Sequence, residues 1–105
     1  MADFCVVLTT VPDSDTAHRL AEGLVSGKLA ACVQVFPITS FYTWKGELCR
    51  DSEHLLLAKT TIPRYPDVEA YIRANHPYEV PEIIRLPIEA GWGPYLVWVR
   101  ENTTE

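Results

Sequence analysis

The fold is decided by residues 30–61, which read AACVQVFPITSFYTWKGELCRDSEHLLLAKTT. Leu29 to Trp44 is rich in β-branched and aromatic residues, and Glu47 to Thr61 is a second strand-like run, apolar toward its end. Lys45-Gly46 between the two runs predicts a tight turn. Pro37 predicts a bulge or an edge position, because proline donates no hydrogen bond to a neighbouring strand. The segment is therefore predicted to form one long β-hairpin.

The segment before the hairpin predicts a strand and a helix. Phe4 to Leu8 is a continuous apolar run, which is typical of a strand buried on both faces. The helix that follows has Asp13 or Ser14 as its cap and ends at Gly27. Its predicted buried face consists of residues that recur at helical spacing, namely Ala17, Leu20, Ala21, Leu24 and Val25.

The segment after the hairpin predicts a second helix, a strand and a short terminal helix. Pro63 and Pro66 mark the start of the second helix, and Asn75-His76-Pro77 ends it. Ile83 to Ile88 is the last strand, and Pro94 opens the terminal helix. The predicted buried face of the second helix consists of Val68, Tyr71 and Ile72.

The order of these elements is β-α-β-β-α-β with a tail helix, which predicts an α+β, ferredoxin-like fold with an antiparallel sheet. Right-handed crossovers place both connecting helices on one face of that sheet. The 105 residues fit a single domain, residues 1–105.

The length of the hairpin predicts an oligomer. An unbroken strand from Ala30 to Trp44 would span roughly 50 Å, whereas the body of a 100-residue domain is only about 35 Å across. The tip of the hairpin is therefore expected to project beyond its own helices. That tip carries Phe41, Tyr42 and Trp44. Exposed aromatic side chains on a free strand edge favour pairing with another chain.

Composition narrows the classes of partner. The formal net charge is −5 and the basic residues are scattered, which argues against a nucleic-acid partner. No apolar run approaches the roughly 20 residues that cross a bilayer, so no membrane partner is expected. Cys5, Cys32 and Cys49 show no CxxC spacing and do not form a disulfide framework. A reducing cytoplasm is the expected location.

The densest candidate for a functional site is the loop from His76 to Glu82, which holds an imidazole, a phenol and two carboxylates. A purely structural alternative is a helix end that His76 caps and prolines stiffen. The three histidines have no metal-ligand spacing, so the sequence predicts no preassembled metal site. Signatures of nucleophilic, phosphate-binding and dinucleotide-binding enzymes are missing, and neither an enzyme nor an organic cofactor is predicted.

Several motifs in sequence order resemble the CutA divalent-cation tolerance family over essentially the whole chain. They are residues 28–33 (KLAACV), 40–46 (SFYTWKG), 57–60 (LAKT), 76–83 (HPYEVPEI) and 95–99 (YLVWV). The resemblance implies a ferredoxin-like homotrimer whose extended hairpins pair across subunits. It also implies a role in tolerance to copper and other divalent cations, without an enzymatic reaction. The family's trimer is similar to that of PII signalling proteins, which bind small ligands in clefts between subunits.

The resemblance also implies site residues. The family's clefts correspond here to Trp44, Lys59, His76, Tyr78 and Glu82. Some members place a cysteine at the end of the first strand, where it is proposed to hold copper with the loop histidine. The residue at that position here is Thr9, and a hydroxyl is a poor ligand for the soft Cu(I) ion. The imidazole of His76 remains, and it suits Cu(II) or Zn(II).

Three functional hypotheses follow. The first is a cytoplasmic homotrimer that binds copper or zinc weakly near His76 and contributes to metal-ion tolerance. The second is a PII-like sensor that binds a small metabolite or anion in clefts between subunits, with Lys59 supplying a charge beside Tyr78 and Trp44. The third is an acid–base hydrolase that uses His76 with Glu79 or Glu82.

Overall fold

The computed structural model of the protein describes residues 3–104, so Met1, Ala2 and Glu105 of the predicted single domain lie outside the described residues. Within this range the chain forms four strands and three α-helices, with a 3-10 turn at Ile62–Arg64. In chain order the elements are β1 (Phe4–Val11), α1 (Ser14–Ser26), β2 (Cys32–Trp44), β3 (Glu47–Thr61), α2 (Tyr65–Asn75), β4 (Ile84–Ile88) and α3 (Gly93–Glu101). None of these helices has the length and apolar character that crossing a bilayer requires.

The four strands form one sheet in the order β2-β3-β1-β4, and every neighbouring pair is antiparallel. Each connecting helix therefore joins two parallel strands that have a third strand between them. This order confirms the predicted α+β, ferredoxin-like architecture. The cap of α1 is Asp13 rather than Ser14, because Asp13 Oδ1 accepts a hydrogen bond from the amide of Thr16 at 2.8 Å.

The main core lies between the sheet and α1 and α2, which pack on the same face. Its fully buried side chains include Cys5, Val7, Leu24, Leu56, Val68 and Ile72. Successive strand residues point to opposite faces, so Phe4 of β1 lies on the other side of the sheet. There it packs with Val99 of α3 and with Ala31 in a second, smaller cluster.

The hairpin of β2 and β3 is continuous from Cys32 opposite Lys59 to Trp44 opposite Glu47. Pro37 occupies an edge strand without a bulge, so the edge alternative is the correct one. The turn has φ of 50° at Lys45 and 80° at Gly46. A two-residue hairpin turn needs positive φ at both residues to match the right-handed twist of the strands that it joins. β1 pairs with β3 only as far as His54, so the distal hairpin extends beyond the four-stranded sheet. The molecule measures 45 × 25 × 22 Å.

Some local predictions are wrong at the ends and margins of elements. Val25 is 43% exposed, because it lies at the margin of the apolar face of α1. Leu29 belongs to the turn that ends α1, since its amide donates to the carbonyl of Leu24 at 2.9 Å. β1 continues past Leu8 to Val11 because its pairing with β3 extends that far. β4 begins at Ile84 rather than at Ile83. Tyr71, which was predicted to lie on the buried face of the second helix, is only partly buried.

The face of the sheet opposite α1 and α2 is only partly covered. α3 packs over one end of it, through the cluster around Phe4. Beyond that cluster, strand pairing places apolar side chains from four strands side by side on this face. We call it the open sheet face, and its members are Leu8, Phe36, Leu57, Ile84 and Leu86. Phe36, Ile84 and Leu86 are exposed in the single chain.

Candidate functional site

A cleft of about 560 Å³ is lined by the distal hairpin, by the end of β1 and by the loop between α2 and β4. Its aromatic and charged lining consists of Phe41, Tyr42, Trp44, Glu53, Tyr78 and Glu82. The other lining residues are uncharged and comprise Thr10, Ser40 and Val80. We call this space the hairpin cleft. Its walls come from three segments that are distant in sequence, so it forms only when the whole domain folds.

Glu53 is the most buried charged residue of the hairpin cleft, with 6% of its surface exposed. It lies two residues from Leu55 on β3, so both side chains point to the same face of the sheet. The hydroxyl of Tyr78 donates a hydrogen bond to Glu53 Oε2 at 2.7 Å. Burial, followed by this bond to a carboxylate, raises the pKa of Tyr78 well above its ordinary value. Tyr78 is therefore a neutral phenol at physiological pH.

A second phenol–carboxylate pair lies on the exposed hairpin. The hydroxyl of Tyr42 donates a hydrogen bond to Asp51 Oδ2, which joins β2 to β3. That bond is the main reason that the pKa of Tyr42 is raised to about 12. The two pairs hold two aromatic rings of the hairpin cleft in place, one at its exposed rim and one beside the buried carboxylate.

His76 fixes the loop that carries Tyr78. Its Nε2 donates to the carbonyl oxygen of Thr10 at 2.8 Å, and its Nδ1 accepts the amide of Tyr78 at 3.1 Å. Because one partner accepts and the other donates, the ring is a neutral imidazole protonated at Nε2. The rings of His76 and Tyr78 lie 4.9 Å apart between centroids. Both nitrogens of His76 therefore have partners within the chain.

The described residues of one chain do not form a closed metal site. Within residues 3–104 no three His, Cys, Asp or Glu side chains lie close enough together to hold a metal ion. Thr9 lies on the helix-covered face, opposite to Thr10, and its buried hydroxyl has no hydrogen-bond partner among the described residues. Burial raises the pKa of the Cys5 thiol, which disfavours the thiolate that binds metal. His76 is thus a single candidate ligand at the edge of the hairpin cleft.

The structure brings together some of the residues predicted for the site and separates others. Trp44, Tyr78 and Glu82 line the hairpin cleft, and His76 adjoins it through its bond to the amide of Tyr78. Lys59 lies elsewhere, with its Nζ 5.6 Å from the ring centroid of Tyr95 on α3. Trp44 and Lys59 mark opposite ends of the hairpin, and twelve strand residues at 3.3 Å each separate them by roughly 40 Å.

Sequence reasoning missed Glu53 and Thr10 as site residues and treated Phe41 and Tyr42 only as features of the hairpin tip. The weak signal for Glu53 was its place in a period-2 pattern. It alternates in phase with Leu55 and Leu57, but Asp51 and Lys59 share that phase, so the pattern does not distinguish Glu53 from an exposed residue. Thr10 had no such signal, because its place in the hairpin cleft depends on the pairing of β1 with β3.

The comparisons with known proteins agree with this architecture. A family model described as CutA1 divalent ion tolerance protein matches residues 5–102. The divalent-cation tolerance protein CutA of Thermus thermophilus is 50% identical over 99 residues, covering 93% of this chain and 96% of that protein. Protein CutA of Homo sapiens is 46% identical over 95 residues. That alignment covers 90% of this chain but 53% of the human protein, so the chain spans about half of that relative's length.

The structural comparison points to the same family. A crystal structure of CutA1 from Oryza sativa superposes with a TM-score of 0.95 at 42% identity, covering 99% of this chain and 96% of that chain. The divalent cation tolerance protein of Thermus thermophilus superposes with a TM-score of 0.93 at 49% identity, covering 96% and 99%. Sequence and structure therefore agree that the chain belongs to the CutA1 divalent ion tolerance protein family.

Proposed function

We propose that the protein is a homotrimer that contributes to tolerance of divalent cations by binding copper or zinc weakly, with His76 as an imidazole ligand. The observation that carries the proposal is the position of His76. It is a partly exposed imidazole at the end of α2, beside a cleft with carboxylates on its wall. Imidazole is a good ligand for Cu(II) and Zn(II).

Two features of the site account for weak binding. A metal at Nδ1 must displace the 3.1 Å hydrogen bond from the Tyr78 amide, which leaves that amide to find another partner. The described residues of one chain also supply no group of three ligands around His76, so water or a neighbouring subunit must complete the coordination. Both features reduce affinity relative to a preassembled site.

The exposed surfaces of the single chain support assembly. The open sheet face exposes three large apolar side chains, and the distal hairpin exposes Phe41, Tyr42 and Trp44. β2 is an edge strand, so its outer hydrogen-bonding groups are free to pair with another chain. We take three as the number of copies from the resemblance to the CutA family.

The same proposal places the protein in the cytoplasm, where its three free cysteines would stay reduced. We propose a non-enzymatic role, since the family description names tolerance to divalent ions rather than a reaction. Partners are other copies of the chain and the metal ion. The net charge of −5 gives no support to nucleic-acid binding.

Calorimetric titration of the reduced, tag-free protein with copper and with zinc tests the metal site. We expect saturation near one metal per chain, and a His76→Ala variant should lose most of that affinity. His18→Ala is the matched control, because His18 is an exposed histidine on α1. Unchanged affinity in His76→Ala, or equal losses in the two variants, would remove His76 as the ligand. Light scattering should give three times the 11.9 kDa chain mass, and a monomeric mass would refute the trimer.

A further inference from the structure

We propose that a groove between α1 and α2 binds a small organic molecule through a carboxylate or phosphate group. We call it the helix groove, and its lining consists of Thr16, Arg19, Leu20, Tyr71 and Asn75. None of these residues lines the hairpin cleft. Both helices cover the face of the sheet opposite the open sheet face, so the helix groove lies away from the surfaces proposed for assembly. The inference is therefore independent of the metal proposal and compatible with the trimer.

The close approach of the two helices gives the helix groove its shape. Gly23 has no side chain, and the hydroxyl of Tyr71 occupies the space where a Cβ at that position would lie. The ring of Tyr71 therefore lies against α1 and forms one wall. Asn75 is one turn further along α2, and its Nδ2 donates to the carbonyl oxygen of Tyr71 at 2.8 Å. Thr16 and Leu20 of α1 are only 8% and 3% exposed, so the floor of the groove is part of the packed domain.

Arg19 is the single charged residue of the lining, which contains no aspartate or glutamate. Within residues 3–104 it makes no ion pair, and its side chain has one long hydrogen bond, from Nη2 to Thr16 Oγ1 at 3.4 Å. The hydrogen bond from the Thr16 amide is the main reason that the pKa of the Asp13 carboxyl is lowered, and the nearby charge of Arg19 contributes less. Asp13 thus caps α1 rather than pairing with Arg19. The guanidinium remains available, and it suits the two oxygens of a carboxylate or phosphate.

The polar groups around Arg19 are mostly donors that lack an acceptor. The hydroxyl of Tyr71 has no hydrogen-bond partner within the described residues. The hydroxyl of Thr16 accepts from Arg19, and its own proton has no acceptor in that part of the chain. Asn75 Nδ2 has a second proton beyond the one that it gives to Tyr71. An ionised carboxylate or phosphate accepts several hydrogen bonds, so it complements this set of donors.

The size of the helix groove favours an organic molecule over a bare ion. Its volume of about 420 Å³ lies in the range of small-molecule sites, roughly 300–1,000 Å³. The ring of Tyr71 can contact a carbon skeleton while Arg19 binds the anionic end. An amine would be repelled by the guanidinium, and a neutral molecule would leave it without a charged partner. The helix groove therefore selects for negative charge.

The test uses benzoate and phenyl phosphate as probes, with benzyl alcohol and benzylammonium as neutral and cationic counterparts of similar size. Binding is followed on ¹⁵N-labelled, metal-free protein through the backbone amide resonances of Arg19 and Asn75. These resonances should shift to saturation with at least one of the anions, whereas the indole resonance of Trp44 in the hairpin cleft should stay in place. The better anion should bind at least about fivefold more tightly than benzyl alcohol, and it identifies the ligand as a carboxylate or a phosphate. Benzylammonium should not bind.

Variants separate the anion site from general attraction to positive charge. Arg19→Gln changes an exposed side chain, so it does not threaten folding, and it should weaken binding of the better anion about fivefold. Arg73→Gln is the matched control, because Arg73 is an exposed arginine of α2 that does not line the helix groove. It changes the net charge by the same amount and should bind as wild type. Tyr71→Phe removes one donor and should weaken binding about threefold.

Equal affinity for the anions and benzyl alcohol, or equal affinity of Arg19→Gln and Arg73→Gln for the better anion, would overturn the proposal. Shifts at Trp44 without shifts at Arg19 would also overturn it, because the probe would then occupy the hairpin cleft. The absence of any shift with either anion would overturn it as well. Arg19→Gln should leave the metal titration and the trimeric mass unchanged, so failure of the anion site and failure of the metal proposal are distinguishable.

Discussion

Removing one hydroxyl group from the hairpin cleft should destabilise the whole domain. Tyr78→Phe deletes the only side-chain partner that the described residues give Glu53, while the ring and its packing stay the same. A hydrogen bond to a charged group contributes about 1.5–3 kcal/mol, and a buried acceptor left without its donor is the costly case. Because Glu53 is 6% exposed, water replaces the lost donor poorly. We expect the free energy of unfolding to fall by about 2 kcal/mol.

The chain contains its own control for this prediction. Tyr42→Phe deletes the same kind of phenol–carboxylate bond, but both partners lie on the exposed hairpin. Water can solvate Asp51 there, so the expected loss is much smaller than for Tyr78→Phe. Tyr78→Phe in a Glu53→Gln background should cost about half as much as in the wild type, because the acceptor is then neutral.

Urea unfolding at equal protein concentration measures both variants, since the stability of an oligomer depends on concentration. With an m-value of about 1.5 kcal/mol/M, a loss of about 2 kcal/mol lowers the urea midpoint by about 1.3 M. If the midpoints of Tyr78→Phe and Tyr42→Phe fell by the same amount, burial of Glu53 would not be the cause. A change below about 0.5 kcal/mol for Tyr78→Phe would refute the importance of the bond itself.

Two further predictions concern pH and helix packing. The folded state raises the pKa of both Tyr78 and Tyr42 above the unfolded value of about 10, so it keeps protons that the unfolded chain loses. Stability should therefore fall as pH rises above about 10, more steeply in the wild type than in Tyr78→Phe, as urea midpoints between pH 8 and 11 would reveal. In α1, an alanine at Gly23 would place its Cβ in a clash with Tyr71 Oη, so Gly23→Ala should destabilise the fold by about 1–2 kcal/mol although alanine favours helices. A higher thermal midpoint would contradict this, and in a Tyr71→Leu background the same substitution should be neutral or stabilising.

The hairpin was predictable because its information is local. Alternation and β-branching define the strands, and Lys45-Gly46 supplies the two residues of positive φ that the turn needs. The end of β1 was not predictable in this way. Thr9 and Thr10 interrupt the apolar run, and they belong to the strand only because β3 pairs with them as far as Val11. Element types follow from short patterns, whereas their ends depend on partners elsewhere in the chain.

The site was less predictable for the same physical reason. Glu53 is acidic and lies near the projecting half of the hairpin, so nothing local distinguishes it from an exposed residue. It takes part in a site because Tyr78, 25 residues further along the chain, donates a hydrogen bond to it. Tyr78 in turn is held by His76, whose ring reaches across to Thr10 on β1. A chain of contacts between three segments cannot be inferred from the pattern of any one of them.

Geometry limits how the remaining predicted residues can act together. Trp44 and Lys59 lie at opposite ends of one extended hairpin, roughly 40 Å apart along the strands. No rotation of side chains closes that distance, because an extended lysine reaches only a few ångströms from its backbone. A site that uses both residues must therefore take one from each of two chains. The lining of the hairpin cleft within one chain contains carboxylates but no lysine, arginine or histidine, so a basic group there must come from a second chain. Assembly thus decides whether an anion could be recognised in the hairpin cleft at all.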